Sequence, residues 1–251
     1  MRNVNITLLT GLLLFAVLPS PAAYGQEAEK PSSFTVKMGK DNFFGFYPTF
    51  LGTVGIRDKV DFTYYGIFWT IPAFGTAPTN GQGLWTEFGV GLRFNLLDNQ
   101  LTINPQIGTL HGKLLSGSTR AVIFDGIVPS LTANLLTDHW ESELYLGLYT
   151  GLNRTNASTT NYAHYWLNGG YRFNKTFSAG LHGEVLAVSG GTLRNGDVTA
   201  DVEASGVYQW VGPYAQFTVK NTTTRFSFGN NFLTAGFADP SFYKLAVGYS
   251  F

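Results

Sequence analysis

The sequence predicts an all-β protein, a closed antiparallel transmembrane β-barrel of about twelve strands with about ten as the alternative. Three observations carry that prediction. Segment after segment alternates apolar with small or polar residues, the period of an extended strand whose successive side chains point to opposite faces. Aromatic residues make up 16% of the chain and charged residues only 13%, against about 25% in an ordinary soluble domain. Beyond residue 25 no uncharged run is long and apolar enough for a spanning helix of about 20 residues. An aromatic-rich, charge-poor chain without such a helix suits a sheet whose outer face meets hydrocarbon.

The first 25 residues read as a cleaved secretory signal peptide. Met1-Arg2 is a short basic start, Ile6 to Leu18 is apolar, and Ala23-Tyr24-Gly25 has the small-x-small form of a cleavage site before Gln26. A membrane anchor is the competing reading, but the apolar run is short for a bilayer span. Residues 26–32 form a short polar lead-in, and 33–251 the barrel. The 16 basic and 16 acidic residues balance, without the basic stripe that nucleic-acid binding requires. The absence of cysteine excludes disulfides and thiol chemistry.

The predicted strands are 33–39, 43–56, 59–71, 84–96, 100–110 and 119–135, then 138–150, 161–173, 176–188, 205–219, 222–233 and 241–251. In 84–96 one face carries Leu84, Thr86, Phe88, Val90, Leu92 and Phe94, and the other Trp85, Glu87, Gly89, Gly91, Arg93 and Asn95. Leu144, Leu146 and Leu148 oppose Glu141, Glu143, Tyr145 and Tyr149. Tyr165, Leu167, Tyr171 and Phe173 oppose His164, Trp166, Asn168 and Arg172. Phe226 and Phe228 oppose Arg225 and Ser227. With the apolar face outward, arginine at Phe88, Val90 or Leu92 is expected to be costly, and serine at Gly89 or Gly91 to cost much less. Asp125 and Pro213 disturb the alternation and are candidate bulge positions.

Short turns near Arg57-Asp58, Leu97-Asp98, Thr137-Asp138, Asn174-Lys175 and Lys220-Asn221 alternate with longer loops, the longest at 189–205. The first connection, Lys40-Asp41-Asn42, is short for the long-loop side, so the ten-strand alternative makes the first segment a plug or lead-in.

The chain stops on an aromatic residue, with Tyr243, Leu245, Val247, Tyr249 and Phe251 on one face of the last strand. A closed barrel leaves no free edge, so its last strand must stay ordered to the end. "YKLAVGYSF" resembles the terminal assembly signal of Gram-negative outer-membrane barrels, and the pattern over 33–251 resembles a porin-like outer-membrane family of unknown function. The resemblance implies an outer-membrane location, short turns facing the periplasm, contact with membrane lipid and recognition of the last strand by the barrel assembly machinery.

The sequence lacks metal-ligand spacings, phosphate-cradling glycine motifs and nucleophile elbows, so neither cofactor nor metal is expected. His111 falls in a long loop and His139 beside a short turn. His164 and His182 fall on neighbouring strands and face inward; a three-residue turn sets Trp166 opposite Glu184 and Asn168 opposite His182, with His164 diagonal to Glu184. A hydrolase would need a serine nucleophile beside a histidine. The other inward charges, Asp61, Arg93, Glu141, Glu143, Arg172 and Arg225 towards the short-turn end and Glu87 and Lys244 nearer the outside, are mixed in sign. Such a lining fits a weakly selective pore or a lumen blocked by ion pairs.

Twelve strands about 4.8 Å apart and tilted by about 40° give a backbone diameter of about 24 Å. Side chains narrow the opening to a size for small solutes. The leading expectation is a channel for small polar solutes with weak ion selectivity and no chemistry of its own. The alternatives are a closed structural or surface-interaction barrel, an outer-membrane lipid-modifying enzyme and, at fold level, a secreted β-sandwich.

Overall fold

The computed structural model describes residues 32–70, 84–116, 122–152, 158–196, 198–233 and 239–251. The predicted signal peptide, the lead-in before residue 32, the loop at 71–83, residues 117–121, 153–157, 197 and 234–238 and the Leu84 side chain lie outside the described residues. The strands are β1 (Ser32–Asp41), β2 (Gly45–Arg57), β3 (Val60–Thr70), β4 (Leu84–Leu96), β5 (Leu101–Gly112), β6 (Val122–Leu136) and β7 (Trp140–Gly151). They continue with β8 (Thr159–Arg172), β9 (Phe177–Asn195), β10 (Val198–Asp201), β11 (Ser205–Val219), β12 (Thr222–Asn231) and β13 (Ser241–Ser250).

Twelve of these strands make the wall. Sequence neighbours pair antiparallel from β1 to β9, β9 pairs with β11, and β13 closes onto β1 from Thr35↔Ser250 to Asp41↔Lys244. β1 is therefore part of the ring, with β2 on its other side, and the ten-strand alternative does not hold. Closure extends past the last strand residue, since Phe251 N donates to Phe34 O at 2.8 Å and the two rings lie 6.0 Å apart. Pairing every strand on both sides is what a sheet in hydrocarbon requires, because lipid offers no hydrogen bonds to a free edge.

The outer face follows from the alternation. Phe88, Val90, Leu92, Leu146, Leu148, Phe226 and Phe228 are all exposed, while Glu87, Tyr145, Tyr149 and Ser227 between them are buried. A continuous belt of exposed large apolar side chains is a surface made for lipid.

The sequence reading differs from the structure in four places. The segment 189–205 is not one loop: β9 runs on to Asn195 and returns as β10, with Asn195↔Val198 and Arg194↔Thr199 paired. The turn begins after the Asn195↔Val198 pair at Gly196, whose φ of +60° is what the first position of a tight hairpin turn requires. His111 lies in β5 rather than a loop, with its ring near Phe88 and Phe124 of the outer face, at 5.9 and 5.3 Å. Pro213 makes no bulge: β11 and β12 keep one register across it, and the bulge lies between Gly206 and Tyr208 instead. A proline on the outer face removes a ladder donor without displacing the strand. Gly89 is not free space, because Tyr65 lies across it and a Cβ there would fall on the phenol ring. Asp125 does sit at a shift, between Leu110 and Gly112 of β5, with Phe124 at φ +58°.

One short connection governs the lumen. Residues 42–44 join β1 to β2 at the long-loop end, and the turn folds inward over Gly45 at φ +71°. The buried Asp41 carboxylate accepts from Phe43 N at 2.9 Å and Phe44 N at 2.5 Å, closing the turn. Asn42 ties the turn to the neighbouring connection through Ser241 O at 3.1 Å. Phe44 is thereby held inside the barrel, 4.8 Å from the Trp69 ring and 5.4 Å from His164.

Candidate functional site

Strand alternation and register bring the inward side chains into the lumen, where two cavities meet. One, of about 390 Å³, runs from Ser33 and Thr35 at the short-turn end up to Phe44, Trp69, Tyr149 and His164. The other, of about 790 Å³, starts from those four residues and opens towards the long loops, lined by Phe43, Trp85, Leu114, Tyr162 and Leu186. Phe44, Trp69, Tyr149 and His164 therefore form a septum across the lumen. Among the described residues the outer chamber has no lysine, arginine or carboxylate in its lining, whereas the inner one is polar and charged.

On one side of the septum stands Glu184, fully buried on β9. It accepts from four groups on three other strands and its own. His164 Nε2 is at 2.8 Å, His182 Nε2 at 3.0 Å, Tyr208 Oη at 2.8 Å and Lys244 Nζ at 2.5 Å. The register is Trp166↔Glu184 and Asn168↔His182, and Asn168 Oδ1 lies 2.7 Å from His182 Nδ1. The lysine ammonium also lies 5.3 Å from the Trp166 ring centre and 6.0 Å from that of Tyr47. A buried carboxylate and two ring faces are what a desolvated ammonium needs. Among the described residues no serine hydrogen-bonds His164 or His182; both rings are spent on Glu184.

Across the lumen stands Glu87, equally buried on β4. Its partners are uncharged: Tyr65 Oη donates at 2.8 Å and Trp69 Nε1 at 3.3 Å. Phe44, Tyr47, Tyr145 and Tyr149 line the same cavity. Tyr145 Oη and Tyr149 Oη are 3.0 Å apart, and Tyr145 stacks on Trp166 at 4.1 Å.

Below the septum the charges pair. Arg93 Nη2 reaches Asp61 Oδ2 at 2.7 Å, and Asn95 donates to the same oxygen at 2.8 Å. Glu143 bonds Arg225 and lies 3.9 Å from Lys37 Nζ. Glu141 accepts from Ser178 and Tyr214 at 2.8 Å each and from Gln216 at 3.1 Å, with the Arg225 guanidinium 5.1 Å from the Tyr214 ring centre. Arg172 donates to the Thr137 carbonyl at a short turn. The structure thus gathers His164, Trp166, Asn168, His182, Glu184 and Lys244 into one cluster and holds Glu87 opposite them. Asp61 with Arg93, and Arg172, sit apart near the short-turn end. Phe44, Tyr47, Trp69 and Tyr208 were missed by sequence reasoning; the signal for Phe44 was the very short Asp41-Asn42 link.

Tyr243, Leu245, Tyr249 and Phe251 are exposed on the lipid side of the closing strand.

The model of a family of unknown function, DUF6733, matches residues 1–251, and the chain belongs to that family. No curated protein matches it. Among solved structures it is similar to the COG4313 outer membrane channel from Pseudomonas putida F1, at 9% identity and a TM-score of 0.55, covering 93% of this chain and 100% of that one. The KdgM porin (13% identity, TM-score 0.47, 87% and 99% covered) and the NanC porin (12%, 0.48, 87% and 98%) are more distant in shape. The fold is that of an outer-membrane β-barrel.

Proposed function

We propose that this member of the family is an outer-membrane channel for small polar solutes, exported by its first 25 residues, with its short turns in the periplasm and with weak ion selectivity. One observation carries the reading: the lumen of a closed barrel holds two chambers divided by a single layer of side chains, Phe44, Trp69, Tyr149 and His164. Weak selectivity is supported by the pairing of Arg93 with Asp61 and of Arg225 with Glu143, which leaves little net field of one sign below the septum. A channel named in a neighbour of 9% identity is consistent with this and adds no detail of solute. The second reading, a closed structural barrel, is favoured by the cluster of buried aromatic and aliphatic side chains, Phe44, Trp69, Trp85, Tyr208, Trp210 and Phe242 among them.

Reversal potentials across a salt gradient in planar bilayers separate the two. The channel reading gives a cation/anion permeability ratio within a few-fold of one. Replacing Arg93, Arg172 and Arg225 together by glutamine leaves Asp61, Glu141 and Glu143 in place and shifts the ratio towards cations. The shift shrinks at 1 M salt, where the Debye length is about 3 Å. Absence of conductance from correctly folded protein selects the closed barrel.

A further inference from the structure

We infer that Glu87 and the rings around it form a binding site for a small organic cation with an apolar body. The inference rests on the channel reading for its place in transport, but the site itself is a property of the folded lumen.

The septum carries two buried carboxylates in similar surroundings. Glu184 has an ammonium at 2.5 Å, that of Lys244, with the rings of Trp166 and Tyr47 beside it. Glu87 also sits among aromatic side chains, Tyr65, Trp69, Tyr145 and Tyr149, yet among the described residues no lysine, arginine or histidine pairs with it. Of the two glutamates that line the inner cavity, Glu143 has Arg225 and Lys37, and Glu87 has neither. The cationic side chains sharing that cavity, Lys37, Arg93, Arg225 and Lys244, are each engaged with another acid.

The chemistry of the surroundings selects the cation. A metal ion such as calcium takes six to eight oxygen ligands, and here one carboxylate stands among O–H and N–H donors and ring faces. Ring faces attract weakly hydrated organic cations, most strongly at tryptophan. The inner cavity of about 390 Å³, which Glu87 lines together with Phe44, Tyr47, Tyr65, Tyr145 and Tyr149, is of a size that holds a small ligand's apolar body. The ligand would lie with its ammonium towards Glu87 and its apolar part against those rings.

The probe is benzyltrimethylammonium, whose charge is independent of pH, titrated calorimetrically into refolded barrel in detergent, so that no conduction is needed. Benzenesulfonate and benzyl alcohol supply the anionic and neutral arms. The expected result is saturable binding of the cation, weak or absent binding of the other two, and about a tenfold loss in Glu87→Gln. Trp69→Phe, which keeps a ring but loses the indole, should weaken binding by less and serves if Glu87→Gln does not refold. Unchanged affinity in folded Glu87→Gln, equal binding of benzenesulfonate, or no saturable binding of the cation overturns the inference. A barrel that binds the cation but conducts no current overturns the channel reading alone.

Discussion

Glu184 and Glu87 face each other across the same septum, both fully buried, and differ in one respect. Glu184 is neutralised from within by Lys244 and held by two histidines and a tyrosine, whereas Glu87 is held by uncharged donors, Tyr65 and Trp69, with no cation paired to it among the described residues. The first arrangement ties β8, β9, β11 and β13 together and is a structural brace. The second places a carboxylate in the lining of the inner cavity with no cationic partner among the described residues, where it adds little to the wall. Burial by itself therefore does not distinguish a brace from a site; the source of the countercharge does.

The contrast is broken most forcefully at Lys244. Lys244→Met strands a buried carboxylate and should cost about 3–5 kcal/mol, whereas Glu87→Gln removes no cation's partner and should cost about 1 kcal/mol or less. Urea titrations of refolding, followed by heat-modifiable migration on gels, give both values. Equal losses would mean that the two carboxylates play the same part.

A smaller contrast separates the two faces of β4. Val90→Arg should lose about 2–4 kcal/mol in the same titration by placing charge in lipid. Gly89→Ser should lose about 1–3 kcal/mol by a different route, overpacking against the Tyr65 ring. Combining Gly89→Ser with Tyr65→Phe should recover little of the loss, because ring carbons as well as the hydroxyl lie across the glycine, while Tyr65→Leu should recover more of it. Full recovery by phenylalanine would place the conflict at the hydroxyl.

At the closing seam the effect lies in yield rather than in equilibrium stability. Phe251→Asp should lower outer-membrane yield and the heat-modifiable fraction, since the terminal ring extends the β13–β1 seam against Phe34. Normal yield would remove the last residue from any role in assembly.

The wall was readable in the chain because a two-residue period, repeated with an apolar face, fixes which side chains meet lipid and which meet the lumen. That is why the inward placement of Glu87, Glu184, His164 and His182 needed only local pattern, and why Trp166 and Glu184 could be set opposite each other from one three-residue turn. What crosses the lumen was not readable. Lys244 meets Glu184 sixty residues away, and Phe44 reaches His164 because a three-residue turn bends inward instead of arching outward. Such contacts depend on curvature and closure, which no stretch of sequence encodes alone. The extension of β9 to Asn195 is a different failure, since the turn glycine Gly196 lay in plain view inside a segment assigned wholly to loop.

The septum is the point on which the functional account turns, and single-channel recording of the parent beside Phe44→Ala tests it most directly. Phe44 lines both chambers, so its removal should join them. The account predicts small current steps from the parent and clearly larger ones from the variant, both proteins migrating as folded barrels. Steps of equal size would contradict a septum at Phe44, and silence from both would contradict the channel.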